Sequence, residues 1–192
     1  MPKLWSETVD AHRREVREAI FTSAIELIAE HGLRAVTMSQ IAERARIGRA
    51  TLYKYFPDVD AILIAWHERQ VSAHLDQLRG IATQPGSASA RLEQVLLAYA
   101  GIIHETAARH HGTDLTALVH QGDHLDHARR QLTELISDLL ARAAAAGDIR
   151  ADIPPAELAS YCLSALGAAR TAHSRAAAGR LVAVIMTGLS TR

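Results

Sequence analysis

Between Thr37 and Pro57 this chain places two helical segments, each too short to stand alone, with almost nothing between them. Thr37 followed three residues later by Gln40 is the Thr-x-x-Gln pattern of a capping box, in which a side chain at each position satisfies a backbone N–H at the other. Ile41 and Ala42 follow as apolar positions, so the spacing predicts a helix from Thr37 to about Ala45. After Arg46-Ile47 a second helix is predicted from Gly48 to Tyr55; Phe56-Pro57 ends it, because a residue before proline avoids the helical region. Helices this short are marginal in water without tertiary support. Two of them joined by two or three residues form a helix-turn-helix, and a third helix must supply the surface they pack on. The preceding segment does so: Val16, Ile20, Ala24, Leu27 and Ile28 form one apolar stripe on a helix predicted from Glu7 to Glu30. Gly32 is expected to close that helix in the left-handed conformation. Ile41, Ala42, Ile47 and Leu52 are the predicted core of the helix-turn-helix.

The rest of the chain reads as helix as well. Alanine occurs 36 times and leucine 22 times, against 23 valines and isoleucines together and eight aromatics, and no segment alternates with a period of two. The expectation is an all-α protein of about nine helices. Asp58 caps a fourth helix carrying Ile62, Leu63, Trp66, Val71, Leu75 and Leu78 to a break near Gly80. Further helices are predicted at roughly Ala88 to Arg109, Leu115 to His120, His124 to Ala146, Pro155 to Thr171 and Arg175 to Leu189. The division expected is a helix-turn-helix domain over residues 1–58 and a second helical domain over 59–192. A chain of 192 residues can bury a core without staples, and the single cysteine, Cys162, excludes an internal disulfide; both fit a cytoplasmic protein. No stretch approaches the about 20 apolar residues of a membrane span, so no membrane partner is expected.

The formal net charge is zero, 21 basic against 21 acidic residues, but it is unevenly spread. Residues 31–56 carry Arg34, Arg44, Arg46, Arg49 and Lys54 against Glu43 alone, a local net of +4, whereas residues 57–192 hold 12 basic and 14 acidic groups. Thr51, Tyr53 and Tyr55 add uncharged donors around the second short helix. Such a helix can enter a DNA major groove with its N-terminal residues facing base edges, while the flanking groups hold phosphates.

Residues Arg17 to Leu63, and most closely the run Thr37-Met-Ser-Gln-Ile-Ala-Glu-Arg-Ala-Arg-Ile-Gly-Arg-Ala-Thr-Leu-Tyr-Lys-Tyr-Phe56-Pro, resemble the DNA-binding domain of TetR-family transcriptional regulators. The resemblance implies a homodimer that binds double-stranded DNA, and a C-terminal domain that takes a small-molecule inducer. It implies that Thr37 meets a phosphate as well as capping its helix, that Arg49, Ala50 and Thr51 face the groove, and that Tyr53, Lys54 and Tyr55 grip the backbone. Arg49 is the expected base reader, since a guanidinium can make two hydrogen bonds to guanine. The chain departs from the family pattern in the turn, where Arg46 and Gly48 stand in place of a glycine and a serine. A favoured left-handed residue and a capping hydroxyl are thereby lost, each at about 1 kcal/mol. Arg46 can compensate by reaching a phosphate. The second departure is Val59, where a lysine often opens the fourth helix.

For the second domain, a ligand pocket between helices is expected, with Leu63, Trp66, Tyr99, Ile103, His104, Leu118, His120, Leu139 and Tyr161 as candidate walls. The last two helices carry small and apolar stripes suited to a two-fold four-helix interface: Ala159, Cys162, Leu163, Leu166 and Ala169 on one, Leu181, Val184, Ile185, Gly188 and Leu189 on the other. The dimer would read a pseudo-palindromic operator as a ligand-responsive repressor. Seven of the 11 histidines lie between His74 and His127, and His120, His124 and His127 leave open a metal-responsive sensor as the alternative. No hydrolase, zinc-protease or nucleotide-loop string occurs, so neither an enzyme nor a cofactor is expected.

Overall fold

In the computed structural model, which describes residues 3–110 and 123–191, every regular element is helical. The elements are α1 (Lys3–His31), α2 (Met38–Arg44), α3 (Arg49–Tyr55), α4 (Val59–Ala82), α5 (Ala88–His110), α6 (Asp123–Ala145), α7 (Pro155–Leu166) and α8 (Arg175–Leu189), with 3-10 turns at Leu33–Ala35 and Gly167–Thr171. Eight α-helices are thus present among the described residues, one fewer than expected; the segment predicted from Leu115 to His120 lies outside them. None of the described helices is long and apolar enough to cross a membrane.

Two compact units divide the chain, one comprising residues up to Arg69 and the other Gln70–His111 with Gly122–Arg192, so that α4 contributes to both. In the first unit α1 packs on α2 and α2 on α3. The core is Ile20, Phe21, Ala24, Leu27 and Ile28 of α1, Val36, Ile41, Ala42, Leu52, Phe56, and Ile62 and Leu63 of α4. Leu52 is the only buried residue of α3, with Tyr55 half-buried beside the same core and the other five residues exposed. In the second unit α5 packs against α6, α8 and the second 3-10 turn, and α6 packs against α7. The core there is aliphatic, with Leu92, Val95, Leu96, Ile136, Leu140, Leu166 and Ile185 at its centre.

Several ends differ from the sequence expectation for local reasons. Gly32 does take positive φ, but with φ 79° and ψ 157°, an extended conformation open to glycine rather than the left-handed helical one. Its N–H still closes the last α-helical bond to Ile28 at 2.9 Å before the chain enters the 3-10 turn. The fourth helix passes through Gly80 to Ala82. The helix expected from Pro155 to Thr171 stops at Leu166, and Gly167–Thr171 tightens into 3-10 geometry. Asp58 caps α4 through Oδ1, which accepts the Ala61 N–H at 2.8 Å, and Ser174 caps α8 by accepting the N–H of Ala177 at 3.1 Å.

Candidate nucleic-acid interface

The helix-turn-helix is assembled by three pieces of backbone chemistry. The first is the capping box: Thr37 Oγ1 accepts the Gln40 N–H at 3.3 Å and Gln40 Oε1 accepts the Thr37 N–H at 2.8 Å. The Thr37 hydroxyl also donates to Gln40 Oε1 at 2.7 Å. Both donors of Thr37 are therefore engaged by Gln40, and a phosphate contact from this residue requires the hydroxyl proton to change partner.

The second piece is the turn. Arg46 has φ 55°, and it is the only non-glycine residue with positive φ among the described residues. The Ile47 N–H bonds to Ala42 O at 3.0 Å and the Arg46 N–H to Glu43 O at 3.1 Å, which together make a Schellman motif. The turn expected to want a glycine is thus left-handed with an arginine in it, and Ile47 behind it packs on the core. The third piece is the exit from α3: Phe56 is extended at φ −144°, ψ 133°, as its proline neighbour requires.

These constraints hold α3 by Leu52 and leave Arg49, Ala50, Thr51 and Lys54 exposed, with Tyr53 55% exposed. Gly48 opens the helix with no side-chain cap. The exposed set is the one singled out as groove and phosphate residues. Tyr55 differs: it is half-buried against the first unit's core, so packing takes part of the ring. The basic patch is also smaller than its formal +4. Arg44 turns away to α1 and makes a two-pronged ion pair with Glu30, 2.7 Å at each oxygen, with Glu26 at 3.9 Å. Hydrogen bonding from Arg44 lowers the Glu30 pKa, and the same bond raises that of Arg44. Arg44 therefore ties α2 to α1, whereas Arg46, Arg49 and Lys54 have no acidic partner among the described residues.

Sequence reasoning missed the support under this surface. Phe21 and Phe56 pack with ring centroids 5.6 Å apart; the Arg17 guanidinium lies 5.2 Å from the Phe56 centroid, and that of Arg69 lies 5.8 Å from Phe21. Arg69 is also ion-paired with Glu18. These partners are far apart in the chain, and no local pattern announces them.

Seven of the nine candidate pocket residues are among the described residues. Leu63 is fully buried in the first unit's core and Trp66 packs on the same cluster. Leu139 is core of the second unit, with Tyr99 and Ile103 packed against it. Tyr161 is 51% exposed, and Leu118 and His120 lie outside the described residues. Burial pushes the Tyr99 phenol up, against the opposing pull of Arg170 and Arg129. His104 Nδ1 is buried with no hydrogen-bond partner. A shallow depression on α6 is lined by Asp126, Arg129, Arg130, Thr133 and Glu134, none of them predicted. Among the described residues no group of three His, Cys, Asp or Glu could hold a metal ion.

The expected association stripes are likewise divided. Ala159, Cys162, Leu166, Ala169, Ile185 and Leu189 are buried inside the chain's own core, because one side of each amphipathic helix is consumed by α5 and α6. Burial pushes the Cys162 thiol up to about 11. Leu163 and Leu181 are half-buried, while Val184 is 67% exposed and Gly188 faces open space.

The family follows from comparison with known proteins. The model for bacterial regulatory proteins of the tetR family matches residues 20–66, and that for the C-terminal domain of SbtR-like transcriptional regulators matches residues 60–191. The chain belongs to the TetR family of bacterial transcriptional regulators, and its helix-turn-helix is that family's DNA-binding domain. Among curated relatives, the HTH-type transcriptional regulator YdeS of Bacillus subtilis (strain 168) is 40% identical over 47 residues, 24% of each protein. The curated relatives are thus matched over less than two thirds of their length. Among solved structures, a TetR/AcrR-family regulator from Thermobifida fusca YX-ER1 superposes with a TM-score of 0.76 at 22% identity, covering 90% of this chain and 97% of that one. FadR from Bacillus subtilis, in complex with stearoyl-CoA, gives 0.67 at 16% identity over 90% and 98% of the two chains. Both share the fold.

Proposed function

We propose that this regulator is a homodimeric repressor that reads a pseudo-palindromic operator with α3 and releases it when a small molecule binds its second unit. The observation that carries the DNA half is the solvent-facing surface of α3, where Arg49, Ala50, Thr51, Tyr53 and Lys54 stand outward from a helix whose one fully buried side chain is Leu52. Arg49 reads bases; Lys54, Tyr53 and the exposed edge of Tyr55 hold phosphates; Arg46 reaches a phosphate from the turn; Thr37 orders α2 and adds a phosphate contact if its hydroxyl leaves Gln40. Dimerisation uses the outward sides of α7 and α8, including Tyr161, Val184 and Gly188, since the opposite sides are already buried. A two-fold axis through them presents α3 twice, which sets the half-site spacing near one turn of DNA or a little more.

The ligand half is supported by the FadR complex with stearoyl-CoA, in which the same fold holds a small molecule. A ligand weakens DNA binding only to the extent that it binds the two conformations of the protein with different affinity. The test is selection of bound fragments from genomic DNA followed by titration with parent and Arg49→Ala protein. The expected result is a symmetric consensus in the parent and relaxed base preference at one position of each half-site in the variant, with about 1–3 kcal/mol less discrimination there. Equal affinity and selectivity in Arg49→Ala would remove the base-reading role.

A further inference from the structure

The first helix is longer than its core needs. Of its 29 residues, those from Val16 onward pack on the first unit's core, while Val9, Asp10 and residues 12–15 are exposed. Between Val9 and Glu15 no residue of α1 belongs to either core. Arg13 and Arg14 lie four and three positions before Arg17, so the three share one face. Glu18, four positions after Arg14, is paired with Arg69, and Glu15 lies 3.9 Å from His12. Asp10 is the acid on the arginine face, and no ion pair joins it to Arg13 or Arg14. The face leads directly to the DNA-reading helix, because Arg17 sits over Phe56, the residue that ends α3 beside Tyr53, Lys54 and Tyr55.

We infer that Arg13 and Arg14 form a second DNA contact of this chain, binding backbone phosphates next to the C-terminal end of α3. Two guanidiniums on a helix face have the charge and donor count to take phosphate oxygens. Arg17 positions the face through its two aromatic rings and is not needed as a phosphate ligand. The contact is blind to base sequence, so it adds affinity and salt dependence without adding specificity. It rests on α3 being the reading helix.

The test uses the full chain and a mixed-sequence DNA duplex, with binding measured by fluorescence anisotropy between about 50 and 200 mM salt. Arg13→Ala/Arg14→Ala is expected to reduce the slope of log affinity against log salt by about 1.8 for each subunit on the DNA, or about 0.9 for each phosphate released. The parent's advantage then narrows roughly tenfold per bound subunit across that salt range. Both residues are exposed, so the variant keeps the parent's circular dichroism and melting temperature. Arg13→Lys/Arg14→Lys retains the slope. Arg129→Ala/Arg130→Ala, which removes the same charge from α6, leaves it unchanged. A parent-like slope in the α1 variant overturns the contact alone, and an equal fall in the α6 variant reduces it to an effect of net charge. A parent chain that binds no duplex at any salt overturns the contact together with the assignment of α3.

Discussion

The first unit packs two phenylalanines under two arginines and holds its short helices with a capping box and a Schellman turn, whereas the second stacks long helices through leucine, isoleucine, valine and alanine. In the first, single side chains decide whether an element exists: α2 and α3 have seven residues each, and α3 has one buried side chain. In the second, burial is distributed, and α5 alone contributes Leu92, Val95, Leu96 and Ala100 to the core. A reading head made of small, individually anchored pieces presents most of its surface outward. A body of long aliphatic helices uses its surface on itself.

Core truncation should break this contrast most visibly. Leu52→Ala and Leu96→Ala each remove a fully buried leucine and should each cost about 2–5 kcal/mol in chemical denaturation. Their local effects should differ: hydrogen exchange should show α3 losing protection and DNA binding disappearing in Leu52→Ala, while α5 stays formed in Leu96→Ala. Equal loss of protection in both helices would erase the distinction between anchored and distributed packing. Arg46→Gly sharpens the same point from the other side. It relieves a left-handed arginine and should stabilise the protein by about 1 kcal/mol, while DNA affinity falls with the lost guanidinium. A variant that gains stability and keeps full affinity would show that the strained residue has no part in binding.

Capping offers a matched pair. Thr37→Ala and Ser174→Ala each delete an N-cap oxygen worth about 1 kcal/mol. The first should fray all of α2, which has seven residues, and the second only the opening turn of α8, which has 15. Amide exchange rates across each helix decide it. The smallest effect is in acid. The pKa of Glu30 is lowered in the folded protein by Arg44 and that of Asp152 by Arg150, so each pair's stabilisation is complete above the ordinary carboxylate pKa and is lost as pH falls through the depressed folded value. Both pairs are exposed, so the contributions are small. Glu30→Gln should flatten part of the decline in stability below about pH 4 and leave neutral-pH stability nearly unchanged, as followed by urea denaturation at each pH.

How much could be read from the chain depends on how local the cause was. The capping box, the stop at Phe56-Pro57 and the cap at Asp58 all arise from residues within a few positions of one another, and they follow from the spacing; the left-handed backbone at Arg46 does not, since an arginine there reads as the loss of a favoured left-handed residue. The exposure of Arg49, Thr51, Tyr53 and Lys54 follows too, because a seven-residue helix with one core position has no other place for them. Arg44 is the counterexample: counted as part of a basic patch, it turns to Glu30 on another helix, and no local rule foretells the pairing. The body shows the same limit more broadly. Leu63 looks like a pocket wall, and Cys162 and Leu166 look like an association stripe, until the packing assigns each to a core.

Composition and turn chemistry by themselves determined an all-helical chain, the position and form of its helix-turn-helix, and which side chains that motif turns outward. The tertiary structure decided which side of each long helix is consumed by its neighbours, which charges are tied and which stand open, and that α1 extends past its core with arginines on one face. The physical reason is that a cap or a tight turn is a hydrogen-bond requirement met within a few residues, whereas an apolar stripe can be buried against many partners. Only the assembled packing selects among them.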